Sequence, residues 1–361
     1  MKRLLLLAGE ESGVLYAEAL KGRLPDWEIR GYGDYGFETH DLAVMGFWAV
    51  VKRLGYFLGV ERTMKRAIDE WRPDALLTID YPGLNLKLAA YAKAKGVRAV
   101  HVVCPQVWAW KRGRIPKIEA ALDRLCCFFP FEPALFRPGF ATFVGHPLAK
   151  AMAAGRGDGA AASGVAMLPG SRRSEIERNL PVLLEAAKTL KRRFPGLEVT
   201  VPAANDRAYA VISAMTAAAA VEVKVVRGGA RELLARSRCA AVASGTATLE
   251  AALARCPTVL VYRVSPLFAW LARRVIKGVR HIGLANIIWE KAPESAGLDR
   301  ASSPMPELLQ EDFTADAVAD RLGAWLADAT AREQAVKRLD ETVSLIATDS
   351  DPLATIAGFL V

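Results

Sequence analysis

Residues 166–178 read Ala-Met-Leu-Pro-Gly-Ser-Arg-Arg-Ser-Glu-Ile-Glu-Arg. An apolar run, Val165–Leu168, closes on Pro169-Gly170-Ser171-Arg172. Beyond that turn Glu175, Ile176, Leu180, Leu183 and Leu184 trace an acidic, amphipathic helix. The stretch is a strand, a tight turn and a helix start, the unit from which parallel α/β sheets are built. Unpaired N–H groups at a helix start favour an anion, and Arg172 adds a fork suited to phosphate oxygens. Taken alone, the stretch is equally an ordinary turn with a surface arginine. The rest of the chain chooses between them.

Working outward, the same unit recurs on both sides. Upstream, Leu4–Ala8 is a continuous apolar run of the kind buried in parallel sheets. The turn Gly9-Glu10-Glu11-Ser12-Gly13 follows it, then a helix over Val14–Leu24. Further strands are expected at Glu28–Gly31, Asp74–Ile79, Ala99–Val103, Leu125–Phe129 and Thr142–Val144, with a helix at Leu86–Lys95. Downstream, strands are expected at Val165–Leu168, Glu198–Val201, Val221–Val225, Cys239–Ala243 and Thr258–Tyr262. Helices fall at 174–193, 206–219, 230–236, 246–254 and 266–276. A Gly/Ala/Ser-rich segment at 153–164 separates the two series. With 361 residues, the chain is long enough for two domains. The reading is therefore α/β, with two Rossmann-like domains facing a cleft. An N-terminal domain spans 1–152, a C-terminal domain 153–340, and a helix in 341–361 returns to the first. Right-handed crossovers put ligand groups at the carboxyl ends of the strands.

Composition narrows the partners. The formal net charge is +9, which suits nucleic acid, an anionic membrane or phosphorylated small molecules. No zinc finger, aromatic-basic RNA motif or basic arm is visible, so nucleic acid is excluded as a partner. Cys104, Cys126, Cys127, Cys239 and Cys256 lie in or beside apolar runs without a C-x-x-C, which reads as buried free thiols in a reducing compartment. Met1-Lys2-Arg3 and the run after it imitate a secretory leader, but the run stops too soon, at Gly9-Glu10-Glu11. No apolar run reaches transmembrane length. A cytoplasmic protein is expected, with peripheral attachment to a membrane.

Several motifs bear on chemistry. Asp80 ends a buried strand before Pro82-Gly83, where it is a turn former or a general base for an attacking hydroxyl. Ser244-Gly245-Thr246-Ala247-Thr248-Leu249-Glu250 opens a helix after another buried strand. Its small residues admit a ligand to the backbone, its N–H groups suit a second phosphate, and Glu250 is placed for ribose hydroxyls. A capping box explains the same residues, and the two roles are compatible. Gly31, Gly33 and Gly36 imitate a dinucleotide fingerprint after the wrong strand, so a nicotinamide site is rejected and no cofactor is expected. His40, His101, His146 and His281 are scattered, so no metal is expected. No P-loop and no G-x-S-x-G is present. Phe47, Trp48, Val51, Leu54, Phe57 and Leu58, interleaved with or followed by Lys52, Arg53, Arg62, Lys65 and Arg66, form either a core helix or an interfacial membrane patch. Two α/β halves without a P-loop or acidic metal motif describe a metal-independent glycosyltransferase with a nucleoside diphosphate leaving group.

The motifs also carry a resemblance. Ala8-Gly9-Glu10-Glu11-Ser12-Gly13, Leu42-Ala43-Val44-Met45-Gly46, Ile79-Asp80-Tyr81-Pro82, Pro105-Gln106-Val107-Trp108-Ala109-Trp110, Phe129-Pro130-Phe131-Glu132 and Val144-Gly145-His146-Pro147 lie in the first half. Leu168-Pro169-Gly170-Ser171-Arg172, Ser244–Glu250, Ala285-Asn286-Ile287-Ile288 and Pro306-Glu307-Leu308-Leu309-Gln310 lie in the second. In this order they resemble the lipid-A-disaccharide synthases, inverting glycosyltransferases (glycosyltransferase family 19) of the GT-B architecture. The resemblance implies joining of UDP-2,3-diacylglucosamine to 2,3-diacylglucosamine 1-phosphate, giving a β-1,6 disaccharide phosphate and UDP. The setting would be the inner face of the cytoplasmic membrane, against an anionic surface. It makes Asp80 the base; the family's other aspartates being absent there, Glu10 or Glu11 is the further carboxylate, and Glu10 is taken as catalytic. It places Ser12, Gly13, Gly170, Ser171, Arg172, Ser244, Gly245, Thr246, Ala247, Glu250, Asn286, Glu307 and Gln310 around the nucleotide or donor sugar. Departures are Val14 and Gly83, where the family has aspartates, the segment at 31–36, which lacks its G-G-P-x-M, and an apparent insertion at 289–304. Other readings stay open: a UDP-N-acetylhexosamine 2-epimerase, a peptidoglycan-type transferase, or a catalytically degenerate relative that binds lipid or nucleotide.

Overall fold

The computed structural model describes residues 1–9, 11–37, 54–149, 162–266, 269, 270, 274, 278–293, 296–298 and 303–361. They form two compact units, Met1–Pro147 with Ile346–Val361, and Leu148–Leu345.

The first unit holds a parallel sheet in the order β2-β1-β3-β4-β5-β6. Its strands are β1 (Lys2–Ala8), β2 (Trp27–Arg30), β3 (Ala75–Ile79), β4 (Arg98–Val102), β5 (Arg124–Cys127) and β6 (Ala141–Phe143). Among the described residues the α-helices between them are α1 (Glu11–Lys21), α2 (Leu54–Trp71), α3 (Pro82–Ala94) and α4 (Ile115–Ala121). The inner strands are largely apolar beyond their first residues because both faces of a parallel sheet are covered. All five residues of β3 are buried, and Leu4, Leu5 and Leu7 of β1 are wholly enclosed.

The second unit repeats the plan in the order β12-β11-β10-β7-β8-β9, again all parallel. Its strands are β7 (Val165–Leu168), β8 (Val199–Ala203), β9 (Lys224–Arg227), β10 (Cys239–Ala243), β11 (Thr258–Tyr262) and β12 (Glu307–Leu309). Its helices are α5 (Arg173–Arg193), α6 (Asp206–Ala218), α7 (Ala230–Arg236), α8 (Thr246–Leu253), α9 (Leu284–Glu290), α10 (Ala315–Ala327) and α11 (Ala329–Ser344). The stripe read from sequence on α5 is its buried face: Ile176, Leu180, Leu183, Leu184 and Leu190 enter one core with Val318 and Leu322 of α10.

Two Rossmann-like domains are thus what the chain builds. Several element bounds differ from the sequence reading, most by one or two residues. Helix α3 begins at Pro82 rather than Leu86, since the fixed φ of proline suits the first helical position. Strand β9 runs over Lys224–Arg227 rather than 221–225, because its register against β8, with Thr200 opposite Lys224, brings charged ends into an edge strand. Helix α1 begins at Glu11 instead of Val14. Strand β12 and helices α9 to α11 carry no strong pattern of their own. The region read as an insertion is anchored by buried Trp289 and Ala292. Most of the 153–164 segment and of the 266–276 helix lies outside the described residues. All five cysteines are buried and unbridged. No described helix is long and apolar enough to cross a membrane.

Candidate active site

Strand order decides where ligand chemistry belongs. In each sheet the winding reverses once: between β1 and β3 in the first, between β7 and β10 in the second. At such a switch point the turns leaving adjacent strands part and open a crevice at their carboxyl ends. Ala8 pairs with Ile79 and Leu168 with Val242. The paired turns are therefore 9–13 with 80–83, and 169–172 with 244–246. These four turns hold most of the catalytic and substrate-binding residues expected from the sequence.

At the first crevice Asp80 has φ +52° and Tyr81 φ +52°, two consecutive non-glycine residues in the left-handed region. The Asp80 N–H donates to Val102 O at 2.9 Å, continuing the β3–β4 ladder by one residue. Its Oδ1 accepts the Tyr81 N–H at 2.7 Å. Burial pushes the Asp80 carboxyl above its ordinary value, and the Tyr81 N–H opposes that only in part. A carboxylate so placed is a better proton acceptor than a solvated one. Gly9 is required by contact: a Cβ there would lie 2.6 Å from Tyr81 Cβ. Gly13 packs beneath Ile79, whose Cγ2 would be 3.3 Å from a Cβ. Glu10 and the Ser12 side chain lie outside the described residues. Gly83 is exposed with nothing within 4 Å of a Cβ position, so this fold does not demand glycine there.

The expected lipid-contact stretch is only partly described. Phe47, Trp48 and Val51 lie outside the described residues, as does the side chain of Leu54. Phe57 is half-buried and faces Tyr81, with ring centroids 6.3 Å apart. Leu58 is 42 % exposed. The first of these side chains packs on the aromatic ring next to Asp80 in sequence, while the second is largely open to solvent.

At the second crevice Gly170 takes φ +115°, and a Cβ there would lie 2.6 Å from Glu175 Oε2. Glu175 fills the anion position of this turn. Its Oε2 accepts the N–H groups of Ser171 at 3.2 Å and Arg172 at 3.3 Å, and its Oε1 accepts Arg172 Nη1 at 2.8 Å. A carboxylate thus engages the donors that a phosphate would use. Ser171 and Arg172 are otherwise exposed. Beneath them the buried Asn179 donates to Pro169 O at 2.9 Å and accepts the Arg263 N–H at 3.2 Å, tying the turn to the end of β11.

The neighbouring turn is open. Gly245 and Thr246 are exposed, Gly245 with φ +152°. Thr248 is buried and donates to Gly245 O at 2.8 Å. Glu250 accepts Arg231 Nε at 2.8 Å, so one of its oxygens already has a cationic partner. Ser244 donates to Ile282 O at 3.3 Å, joining this turn to the 281–283 segment.

That segment is held by Glu307. Its carboxylate accepts the Ile282 N–H at 3.2 Å, the Gly283 N–H at 3.1 Å and Asn286 Nδ2 at 2.8 Å, with His281 Nδ1 at 3.6 Å. Burial alone would raise the Glu307 carboxyl, but these donors together hold it below its ordinary value. The same contact raises His281. Asn286 is wholly buried and also exchanges two hydrogen bonds with the Met305 backbone, so it acts on the site through Glu307. Gln310 has φ +51° and its carbonyl accepts Arg263 Nη2 at 3.2 Å.

Sequence reasoning passed over Glu175, Asn179 and His281. The first two have a local signal: an acid in the first turn of α5, and a polar residue on its apolar stripe. Among the described residues Cys104, Cys127 and Glu132 place potential metal-donor atoms within 4.8 Å of one another, all buried. Both Glu132 oxygens accept N–H groups, from Trp108 Nε1 and from Phe129, each at 3.1 Å.

Comparison with known proteins bears on family and fold. Residues 4–349 match the family model described as lipid-A-disaccharide synthetase. The chain is 37% identical over 351 residues to the lipid-A-disaccharide synthase of Geobacter metallireducens, covering 91% of this chain and 88% of that one. It is 36% identical to that of Chromohalobacter salexigens, covering 92% and 89%. In fold it is similar to the UDP-GlcNAc 2-epimerase of Neisseria meningitidis bound to UDP-GlcNAc, with TM-score 0.58, 10% identity, and 99% and 98% of the two chains covered. It is also similar to the S. aureus MnaA structure with UDP, with TM-score 0.62, 12% identity, and 98% and 94% covered.

Proposed function

The chain belongs to the lipid-A-disaccharide synthase family and is a lipid A disaccharide-forming glycosyltransferase, and from that premise we propose how it acts. The donor is UDP-2,3-diacylglucosamine and the acceptor 2,3-diacylglucosamine 1-phosphate. The first unit takes the acceptor at the inner face of the cytoplasmic membrane, and the second takes the UDP-sugar. Asp80 accepts the proton of the acceptor 6-hydroxyl, whose oxygen attacks the anomeric carbon of the donor. The C–O bond to UDP breaks with inversion. The charge left on UDP is met by Arg172 and by N–H groups of the 170–172 and 244–246 turns rather than by a metal. Ser12 and Gly13 in the first unit, and Ala247, Glu250, Asn286, Glu307 and Gln310 in the second, line or shape these pockets. Glu10 is a second carboxylate for the acceptor side. Val51, Leu54 and Leu58, with Phe47, Trp48 and Phe57, meet acyl chains or lipid.

The observation that carries this reading is positional. Both fold switch points coincide with the chemistry-bearing turns, a raised carboxyl at one and a turn of anion-suited N–H donors with an arginine at the other. The test is UDP release from the donor in detergent micelles, with and without acceptor. Release that depends on the acceptor and yields a disaccharide phosphate supports the reading. Acceptor-independent loss or inversion of the sugar would point to epimerase chemistry, and no turnover despite UDP binding to a degenerate relative. Asp80→Asn should lower kcat by roughly 10²–10⁴ with UDP binding retained; near-normal turnover removes Asp80 as base. Arg172→Ala should weaken UDP by about 1.5–3 kcal/mol in calorimetry, and an unchanged affinity removes that role.

A further inference from the structure

Asp80 needs to be held where it is. It and Tyr81 both take φ +52°, a conformation side chains of L-residues disfavour, so the surrounding structure must impose it. The ladder bond to Val102 fixes the Asp80 N–H, and Oδ1 is met by the Tyr81 N–H. The carbonyls at the bend are held by Asn85. Its Nδ2 donates to Asp80 O at 2.8 Å and to Ile79 O at 3.4 Å. Asn85 is fully buried near the start of α3, and its own N–H donates to Tyr81 O at 3.2 Å. Its remaining acceptor, Oδ1, takes the hydroxyl of Tyr32 at 2.7 Å. Tyr32 is 3 % exposed and lies just beyond β2, 53 positions earlier in the chain. Its own backbone is pinned, since Tyr32 O accepts the N–H groups of Tyr35 and Phe37, both at 3.1 Å.

We propose that Tyr32 and Asn85 form a positioning pair that aims the Asp80 carboxylate at the acceptor hydroxyl. The inference rests on the reading of Asp80 as base. The tyrosine hydroxyl fixes which way the buried amide faces. The amide in turn grips the two carbonyls that define the bend. Without the hydroxyl, Asn85 Oδ1 is a buried acceptor with its donor removed, so the amide reorients and releases the bend. Displacements of about 1 Å at a reacting group are enough to lower a rate by up to ~10²-fold.

The test is a double-mutant cycle on acceptor-dependent UDP release. Tyr32→Phe removes one oxygen and, with it, one hydrogen bond to Asn85. It should lower kcat roughly tenfold, leave KM for both substrates within about twofold, and move the acid limb of the pH–rate profile, which reports the base. Thermal unfolding and UDP calorimetry establish that the variant is folded. In the Asp80→Asn background Tyr32→Phe should add no further loss, because the pair acts through the carboxylate that is gone. Full turnover in Tyr32→Phe, or a loss that multiplies with that of Asp80→Asn, overturns the pair and leaves Asp80 as base intact. Normal turnover in Asp80→Asn instead overturns the base, and the pair with it.

Discussion

His281 shows how one contact sets a residue's behaviour. Its Nδ1 lies 3.6 Å from Glu307, whose carboxylate is fixed by the Ile282 and Gly283 N–H groups and Asn286. Glu290 also faces the ring favourably, and Arg280 opposes it. The folded protein therefore binds the imidazole proton more tightly than the unfolded chain does, and the proton is retained above the ordinary value of 6.5. The stabilisation is complete below that value and is lost as pH rises through the folded one. The Tm of the wild type should exceed that of His281→Gln at about pH 5.5 and converge on it by about pH 8.5, measured by scanning calorimetry. A difference independent of pH would remove the pair as its source. None of this was legible in the sequence, where His281 and Glu307 stand 26 positions apart. Glu307 was reached only through the resemblance. Arg172 was legible because its turn and helix are local. The capping carboxylate of Glu175 was equally local but reads as routine helix chemistry.

At the scale of elements, legibility follows burial. Strands β7, β10 and β11 begin and end where the sequence placed them, because each is an apolar run, closed by Pro169-Gly170 after β7, Ser244-Gly245 after β10 and Arg263 after β11. Edge elements obey other rules. Strand β9 has exposed ends and a half-buried middle, and β12 is a three-residue half-buried strand, so pairing rather than pattern sets their bounds. The site is mostly legible for the same reason as the inner strands. Its turns lie where apolar runs stop, and the order of those runs in the sheet makes two of them switch points. What periodicity cannot reveal is the grip between neighbouring turns. Gly9 sits against Tyr81 and Gly283 against Leu260, where added Cβ atoms would lie 2.6 and 2.5 Å away. The textual glycine fingerprint at 31–36 was set aside as a cofactor site, yet it contains Tyr32, whose hydroxyl reaches the buried Asn85.

For the whole molecule, the last sixteen residues matter more than their position suggests. They belong to the first unit, not to the one that precedes them in sequence. A final helix, α12 (Pro352–Gly358), packs against α1. Ile346, Leu353, Ile356 and Leu360 are all buried. The His146 N–H donates to Ile346 O at 3.0 Å, and Arg98 Nε to Phe359 O at 2.6 Å. Asp351 caps α12 at the Leu353 N–H and receives Arg23 Nε and Nη2 at 2.9 and 2.8 Å. Magnitudes separate these contributions. The Arg23–Asp351 pair is substantially exposed, and such pairs contribute about 1 kcal/mol or less. Each buried apolar side chain contributes about 1.5–3 kcal/mol, so four approach the whole stability of a domain, roughly 5–15 kcal/mol. Deleting 346–361 should therefore leave the first unit unfolded while the second still resists limited proteolysis. Ile356→Ala should destabilise the first unit by about 2–5 kcal/mol and Arg23→Ala by under about 1 kcal/mol, both read from denaturant unfolding. If the order of those two losses is reversed, the C-terminal segment is held by its charges and not by its core.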